Sequence, residues 1–336
     1  MLPDINVSAT HIGGNSVVGL RDRVLLLESL DQGGNLDQET LTLVAEHARP
    51  QRFRKGDLLL RDNEPVDRIY LITRGKVTVT QRGRPVRVFD QSGAVGLNAV
   101  MAEDNLGVRA IADVDTHTLS LPVNILMDLY EANFALVRNS LRVISNQILD
   151  ARDSLPIGQG EDADMGEWRD RPRTFVERLI EVRRGALFTD TNLDAVLEFA
   201  RQGYEIRGSA GDVLWEVGES SNYWVGIDYG RVRCSTPDGR SVVIGADYVL
   251  GVMDAMGARV RSYKVEALTD YIGFRINRDV MLAILEAHFD LARKILASLS
   301  EMVFRNRAAD SEIADTDAAK RQRASAELKT IDDRDQ

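Results

Sequence analysis

Apolar positions along the chain follow two spacings, and the change between them marks where helices give way to strands. The stretch that begins at Leu20, LRDRVLLLESL, has helical spacing, and so do residues 37–48. Across residues 54–90 the spacing becomes two, and Gly, Asn, Asp and Pro separate several short runs. The pattern therefore predicts a helical lead followed by a body of short strands.

Two later segments, 96–115 and 251–270, share one pattern. Each begins with a glycine after an apolar strand, passes through a short helical turn of small residues, and returns to alternating spacing. In the first half a strand at Thr118–Leu121 follows. Pro122 then opens a helix, which suits proline because the first turn does not need its missing N–H.

The whole order of elements occurs twice, at a separation of 155 residues. Residues of the same type recur at this separation: Gly56 and Gly211, Gly75 and Gly230, Gly96 and Gly251, Glu131 and Glu286, Phe134 and Phe289. One constant separation across turn glycines and helix residues predicts two copies of one domain. The period is too long for a solenoid unit, so the copies are duplicated domains.

Local composition predicts the boundaries of these copies. Residues 1–20 are small and polar and predict a flexible N-terminus. Residues 154–173, rich in Gly, Pro and acidic side chains, predict a linker, and residues 306–336, rich in both charges, predict a solvated tail. The first domain then spans residues 21–153 and the second spans residues 174–305.

The bulk composition narrows the function classes. The chain has 336 residues, of which 44% are apolar, and a net charge of -10, which argues against binding to nucleic acid or to an anionic membrane. The single cysteine, Cys234, allows no intrachain disulfide, and no apolar run approaches the ~20 residues that span a bilayer. With no secretory signal pattern at the N-terminus, these features predict a cytoplasmic protein without membrane insertion.

Residues that could carry catalysis or bind a metal are scattered. The four histidines have no metal-site spacing, and the sequence contains no nucleophile elbow, Walker loop, kinase motif or paired-cysteine motif. The sequence therefore predicts a protein that is not an enzyme and holds no metal.

The first copy contains the run E-x-x-D-x-I-Y-x-I-x-x-G-x-V-x-V from Glu64 to Val79, and the second keeps a looser form with Gly218, Glu219 and Gly230. With the leading helix, the Gly-Asp turn, the glycine-led segment and the closing helices, this run resembles the cyclic nucleotide-binding domain family. The resemblance implies a mainly β fold with flanking helices, built as two jelly-roll-like β sandwiches.

In that family the glycine-led segment is the ligand-binding cassette. The resemblance implies a glutamate directly after the glycine for the ribose and an arginine nine residues later for the cyclic phosphate. In the first cassette, residues 96–115, Gly96 is followed by Leu97, and Leu106 stands at the arginine position. Arg109, on the next strand, either substitutes for the arginine or is a surface residue. A phosphate beside two leucines would lose its solvation without compensation, so we expect this degenerate first site not to bind a cyclic nucleotide in the usual way.

The second cassette, residues 251–270, keeps half of the recognition. Gly251 is followed by Val252 instead of glutamate, whereas Arg261 stands at the arginine position and Ser262 adds a hydroxyl. Losing the glutamate should cost about 1.5–3 kcal/mol, or ten- to a hundredfold in affinity. Asp254 either reaches the ribose instead or is an exposed turn carboxylate.

Two basic residues, Arg259 and Lys264, make the second cassette locally positive. They belong either to an anion site or to a solvated edge strand on which charge prevents edge pairing.

The closing helix of each copy has an apolar stripe at the spacing of a two-helix seam. The stripes include Phe134, Leu141 and Ile148 in the first copy, and Phe289, Leu296 and Val303 in the second. Such a stripe also suits a helix that packs on its own sandwich. In relatives this helix moves on ligand binding or forms a dimer, so we expect at least one of these helices to contact a partner protein or a second copy.

These features predict a non-catalytic regulatory or adaptor protein that acts through protein–protein contacts of two degenerate domains. The alternative is a sensor that binds a cyclic nucleotide in the second domain and signals through its closing helix. Neither domain is followed by the apolar three-helix pattern of a helix-turn-helix module, so we expect no DNA binding.

Overall fold

The structure is a computed structural model of the chain. It describes residues 18–30, 36–62, 64–90, 93–102, 107–151, 155–156, 158–185, 188 and 190–303. The first seventeen residues of the predicted flexible N-terminus, Leu106 and the predicted tail at 306–336 lie outside the described residues.

The first unit contains five helices and eight strands in the described residues. Its elements are α1 Leu20–Leu30, α2 Gln38–His47, β1 Arg49–Phe53, β2 Leu58–Leu60, β3 Arg68–Arg74, β4 Val77–Gln81, β5 Arg84–Phe89, β6 Ala94–Val95, α3 Leu97–Met101, β7 Val108–Ala112, β8 Thr116–Pro122, α4 Val123–Ala132 and α5 Phe134–Ala151.

The second unit repeats this order. Its elements are α6 Phe175–Arg184, α7 Leu193–Gln202, β9 Tyr204–Gly208, β10 Val213–Trp215, β11 Tyr223–Tyr229, β12 Val232–Ser235, β13 Ser241–Ile244, β14 Tyr248–Leu250, α8 Val252–Met256, β15 Lys264–Ala267, β16 Tyr271–Asn277 and α9 Arg278–Ala287. A further helix, α10, covers residues 289–303. Most elements begin 155 residues after their counterparts, which confirms the predicted duplication.

Each unit is a sandwich of two four-stranded antiparallel sheets. In the first unit the strand orders are β1-β8-β3-β6 and β2-β7-β4-β5, and in the second they are β14-β11-β16-β9 and β10-β15-β12-β13. Alternate residues of β3 face opposite ways: Tyr70 and Ile72 are buried inside the sandwich, whereas Ile69 packs with the helices. The predicted fold class, two β sandwiches with flanking helices, is confirmed.

The segment predicted as a linker lies along the second sandwich. Gln159 N donates to Val243 O at 3.0 Å, and Ala246 N donates to Asp164 O at 2.8 Å. The Trp168 ring also meets the Tyr229 ring edge-on at 5.1 Å. The segment therefore joins the two units while it is held against one of them.

The two units meet where α5 of the first packs against α8 of the second. Asn146 Nδ2 donates to Gly257 O at 3.3 Å, and Asp150 pairs with Arg259 at 2.8 Å. The last turns of the first unit's closing helix therefore lie directly beside the cassette of the second unit.

The apolar stripes of the closing helices are largely occupied within the chain. Leu141, Ile148, Leu296 and Val303 are buried in a helical core shared by both units, and the half-buried Phe134 and Phe289 pack against that core. This burial agrees with the alternative that the helices pack within their own chain. A dimer through the closing helices stays a prediction, and it would need other faces of these helices.

No helix in the described part of the chain is both long and apolar enough to cross a membrane. The same residues contain no group of three or more His, Cys, Asp or Glu side chains that could hold a metal ion.

Candidate functional site: the two cassettes

Each cassette is built on a glycine with left-handed backbone. Gly96 has φ 93° and Gly251 has φ 81°, and each is the N-cap of a five-residue helix, α3 or α8. An L side chain is strained at such φ, and a Cβ at Gly251 would also collide with the Arg261 guanidinium. Glycine at these positions therefore allows the strand to turn abruptly into the cassette helix.

The first cassette offers no polar anchor at the glutamate position that the family uses. Leu97 begins α3, and its half-buried side chain packs against the helical core. Arg109 is exposed on β7, between the buried Val108 and Ala110, so it faces away from the sandwich interior. The alternative that Arg109 is a surface residue agrees with this position.

The second cassette brings Gly251, Asp254, Arg261 and Ser262 together, but Arg261 is sealed from solvent. Its relative exposure is 0%. The Nη1 atom donates to Gly251 O at 3.2 Å, and Nη2 donates to Tyr223 O. Burial is the largest influence on the guanidinium and lowers its pKa. Two of the donor groups that would hold a phosphate are therefore used on backbone carbonyls.

Two aromatic rings complete the enclosure of Arg261. Its guanidinium carbon lies 4.1 Å from the centroid of Trp215 and 4.7 Å from that of Tyr223. Cations at such distances are attracted by the ring faces. Trp215, itself 1% exposed, is held by a 2.9 Å hydrogen bond from Nε1 to Tyr263 O. The Tyr263 hydroxyl in turn accepts from Gly251 N at 3.1 Å.

Asp254 is buried within the second cassette, which contradicts the alternative of an exposed turn carboxylate. It is 1% exposed because α8 turns it inward, and Oδ1 accepts from Ser262 Oγ at 2.9 Å. Burial raises its pKa, while the Ser262 hydrogen bond and the Arg261 charge partly oppose that rise. The Asp254 carboxylate therefore lies near the Arg261 charge, and the Ser262 hydroxyl is already hydrogen-bonded to this carboxylate.

The basic residues of the second cassette do not lie on an edge strand, so that interpretation was wrong. Lys264 is on β15, which pairs with β10 on one side and β12 on the other, and its Nζ is 3.1 Å from Glu266 and 3.4 Å from Glu216. Arg259 precedes that strand and pairs with Asp150. Each of these cations has a carboxylate partner in the chain.

Val252, at the family's glutamate position, is half-buried and packs against the helical core.

Sequence reasoning missed Trp215, Tyr223 and Tyr263, which enclose Arg261. One indication was available, because Trp215 stands at the position that Leu60 occupies in the first copy. In this conformation the arginine of the second cassette is buried, and the Ser262 hydroxyl is bonded to Asp254.

Comparison with known proteins agrees with this architecture. The family model described as "Cyclic nucleotide-binding domain" matches residues 50–133 and 206–288. No curated protein matches the chain.

Solved structures give distant similarities to regulatory parts of protein kinase A and to a cyclic nucleotide-binding-like protein. The regulatory subunit of a cAMP-independent protein kinase A from Trypanosoma brucei is 17% identical, covers 81% of this chain and 88% of its own, and has a TM-score of 0.32. The regulatory domain of Toxoplasma gondii PKA with cAMP is 12% identical, covers 83% and 95%, and scores 0.31. A cyclic nucleotide-binding-like protein from Brucella abortus is 24% identical, covers 33% and 98%, and scores 0.28.

The matched ranges cover the two sandwiches together with α4 in the first unit and α9 in the second. The chain therefore belongs to the cyclic nucleotide-binding domain family and carries two copies of its domain.

Proposed function

We propose that the protein is a non-catalytic regulatory or adaptor protein in which neither domain takes a cyclic nucleotide in the usual way. Domains of this family typically regulate other proteins rather than catalyse reactions. The chain would then act through protein–protein contacts with a partner that its sequence does not name. Its one cysteine, Cys234, is buried and unpaired, which fits a reducing compartment such as the cytoplasm.

The observation that carries the proposal is the enclosure of Arg261. Its guanidinium is capped by two backbone carbonyls and stacked against two aromatic rings, and its exposure is 0%. A phosphate could reach it only if these contacts broke. That loss would add to the cost of the missing ribose glutamate at Val252.

The first domain supports the same proposal for a different reason. It has leucines at both anchor positions, and its nearby arginine, Arg109, lies on the outer face of β7. A cyclic phosphate there would have no cationic partner from the family's usual positions, and burying an unpaired anion is costly.

The second candidate is a cyclic-nucleotide sensor that uses the second domain. Arg261 and Ser262 are present in the cassette, and Asp254 already contacts Ser262, so a ligand that displaced Asp254 could take over both groups. This candidate requires the Arg261 side chain to leave the Trp215 and Tyr223 rings.

Calorimetry of the full chain with cyclic AMP and with cyclic GMP separates the two. The adaptor proposal expects no binding heat at millimolar nucleotide. Micromolar binding that Arg261→Ala abolishes would establish the sensor and overturn the proposal.

Stability measurements on the same variant give an independent readout. Arg261→Ala should cost about 3–5 kcal/mol in the free energy of unfolding, as breaking a buried charged contact does. Arg109→Ala is the matched control, an exposed arginine whose loss should stay within about 0.5 kcal/mol. Urea denaturation of both variants checks whether Arg261 has this structural role.

A further inference from the structure

A cavity of about 650 Å³ lies in the first unit, outside the sandwich. It is bounded by the outer face of the β1-β8-β3-β6 sheet, by β5 and by the helices α1 to α5. None of the fully buried residues of the first sandwich's interior lines it. Its volume falls within the range of about 300–1,000 Å³ found for small-molecule pockets. The cavity therefore lies outside the sandwich interior, with Leu97 and Asn98 of the first cassette helix forming part of its wall, and it is large enough for a ligand.

The inner wall of the cavity is apolar. Buried aliphatic side chains from the sheet and the helices form it: Leu27, Leu41, Ile69, Leu121, Leu126 and Leu136. The polar groups on this wall, the Tyr130 hydroxyl and Ser140 Oγ, are 2.5 Å apart and satisfy each other. A ligand body in contact with this wall must be mainly apolar, which disfavours sugars and nucleosides.

The cavity is elongated along α5. The lining residues on this helix lie between Leu136 and Asp150, and the fourteen steps between these two residues rise by roughly 21 Å. The aliphatic Leu136 lies at the start of this face. Asn146 and Asp150 lie towards its end. This arrangement of lining residues suits an extended ligand with one apolar end and one polar end.

Two arginines give the polar side of the cavity a positive character. Arg87 on β5 and Arg142 on α5 both line it, and Arg87 Nη1 and Arg142 Nε have no acceptor among the described residues. Burial lowers the pKa of the Arg87 guanidinium, and the Asp150 charge opposes this. A nearby anion would compensate that buried charge.

Two carboxylates also line the cavity, but neither fully neutralises the positive charge of Arg87 and Arg142. Asp150 is paired with Arg259 of the second unit at 2.8 Å. Asp90 follows β5 and is exposed to solvent. Exposed charges are screened by water and salt, whereas the half-buried Arg87 and Arg142 are screened less.

We propose that this cavity binds an amphipathic carboxylate, an extended apolar body with one carboxylate end. The body lies along α5 against the aliphatic wall, and the carboxylate faces the guanidinium groups of Arg87 and Arg142. Guanidinium groups present donors in the geometry that a carboxylate accepts. The ligand would lie on the part of α5 that also holds the second cassette through Asn146 and Asp150.

Calorimetry of the full chain with decanoate tests the proposal, with decan-1-ol as the uncharged ligand of the same chain length. We expect decanoate to bind at least tenfold more tightly than the alcohol. Arg87→Gln and Arg142→Gln should each weaken decanoate binding about tenfold, as loss of a charge-assisted hydrogen bond does, and leave the alcohol unchanged.

Two further variants make the result specific to the cavity. Arg109→Gln applies the same substitution to an exposed arginine of the first unit outside the cavity, and it should not alter binding. Val143→Trp fills the cavity from α5 and should abolish binding of both ligands, with circular dichroism melting to confirm that the variant is folded. Absence of decanoate binding, equal affinity for acid and alcohol, or equal effects of Arg87→Gln and Arg109→Gln would each overturn the proposal.

Discussion

The two cassettes share a backbone conformation, but the sandwich interiors beside them are filled by different kinds of residue. Both begin at a glycine with left-handed φ and continue into a five-residue helix. The first sandwich, however, is filled by aliphatic residues such as Leu60 together with Phe53 and Tyr70, whereas the second encloses a charged arginine between Trp215 and Tyr223. The duplicated fold is therefore compatible with two distinct arrangements at the family's ligand site.

The second arrangement is the more demanding physically. Moving a guanidinium out of water is expensive unless hydrogen bonds and a favourable electrostatic environment replace its hydration. Here two carbonyls and two ring faces replace part of that hydration. The first cassette has no charged group to remove from water at the family's glutamate position. Leu97 stands there and packs with apolar neighbours.

The largest expected difference between the cassettes concerns Trp215 and its counterpart Leu60. Trp215→Ala removes a buried ring, the stacking with Arg261 and the hydrogen bond to Tyr263 O, and it should cost about 3–5 kcal/mol. Leu60→Ala leaves a cavity without exposing a charge, so its cost should be smaller by at least about 1 kcal/mol. Urea denaturation at neutral pH measures both.

Trp215→Phe keeps a ring over Arg261 and serves as the second variant if Trp215→Ala does not fold. It should retain more than half of the stability that the alanine variant loses. Equal costs for Trp215→Ala and Leu60→Ala would mean that the enclosure of Arg261 contributes nothing to the fold.

The elements of both units could be predicted from sequence because their determinants are local. Spacing of two or of helical period, together with turn glycines and the constant separation, is enough to indicate two copies of a domain of short strands and flanking helices. The grouping of Gly251, Asp254, Arg261 and Ser262 follows from one short segment. Their burial does not, because Trp215 and Tyr223 reach the cassette from other strands.

Contacts between the units were also beyond the sequence. The stripe on α5 correctly indicated an apolar helix face, but a periodic pattern does not say which surface covers it. Nor did the acidic, glycine-containing segment at 154–173 indicate that its backbone bonds to the second sandwich, for example through Gln159 and Asp164. Main-chain hydrogen bonds depend little on side-chain type, so composition alone suggested a free linker.

A second difference lies at the end of the cassette helices, where Gly257 corresponds to Ala102. A Cβ at Gly257 would lie 2.7 Å from Asn146 Oδ1 on α5 and 2.9 Å from Met253 O of α8 itself. Gly257→Ala should therefore cost about 1–3 kcal/mol, as overpacking does. Gly226→Ala is the matched control, since the nearest atoms to its Cβ would be at 3.9 Å.

A double-mutant cycle sharpens this test. If Asn146 causes the collision, adding Asn146→Ala to Gly257→Ala should recover at least about 0.5 kcal/mol in the free energy of unfolding. Additive costs, or a cost at Gly257 no larger than that at Gly226, would show that the contact between the units does not constrain this glycine.

The smallest expected effect is the pH dependence that the buried Asp254 gives to the free energy of unfolding. Burial raises its pKa above the ordinary 3.8, so the folded protein holds this proton more tightly than the unfolded chain does. The stability that the proton provides is present below the ordinary pKa and is lost as pH rises through the folded-state pKa. Asp254→Asn keeps an oxygen that can accept from Ser262 and does not ionise.

Asp254→Asn should therefore be more stable than the natural chain at pH 7, and this gain should shrink as the pH is lowered towards 4 in a series of urea denaturations. The gain should be smaller than the cost at Gly257, because the Ser262 hydrogen bond and the Arg261 charge offset part of the burial penalty. Asp67→Asn, on an exposed side chain, should stay within about 0.5 kcal/mol at every pH. A loss of stability in Asp254→Asn at neutral pH would instead mean that Arg261 depends on the charge of Asp254. The two residues would then form a buried ion pair in the second cassette, and the first cassette has Leu97 and Leu106 at the family's two anchor positions.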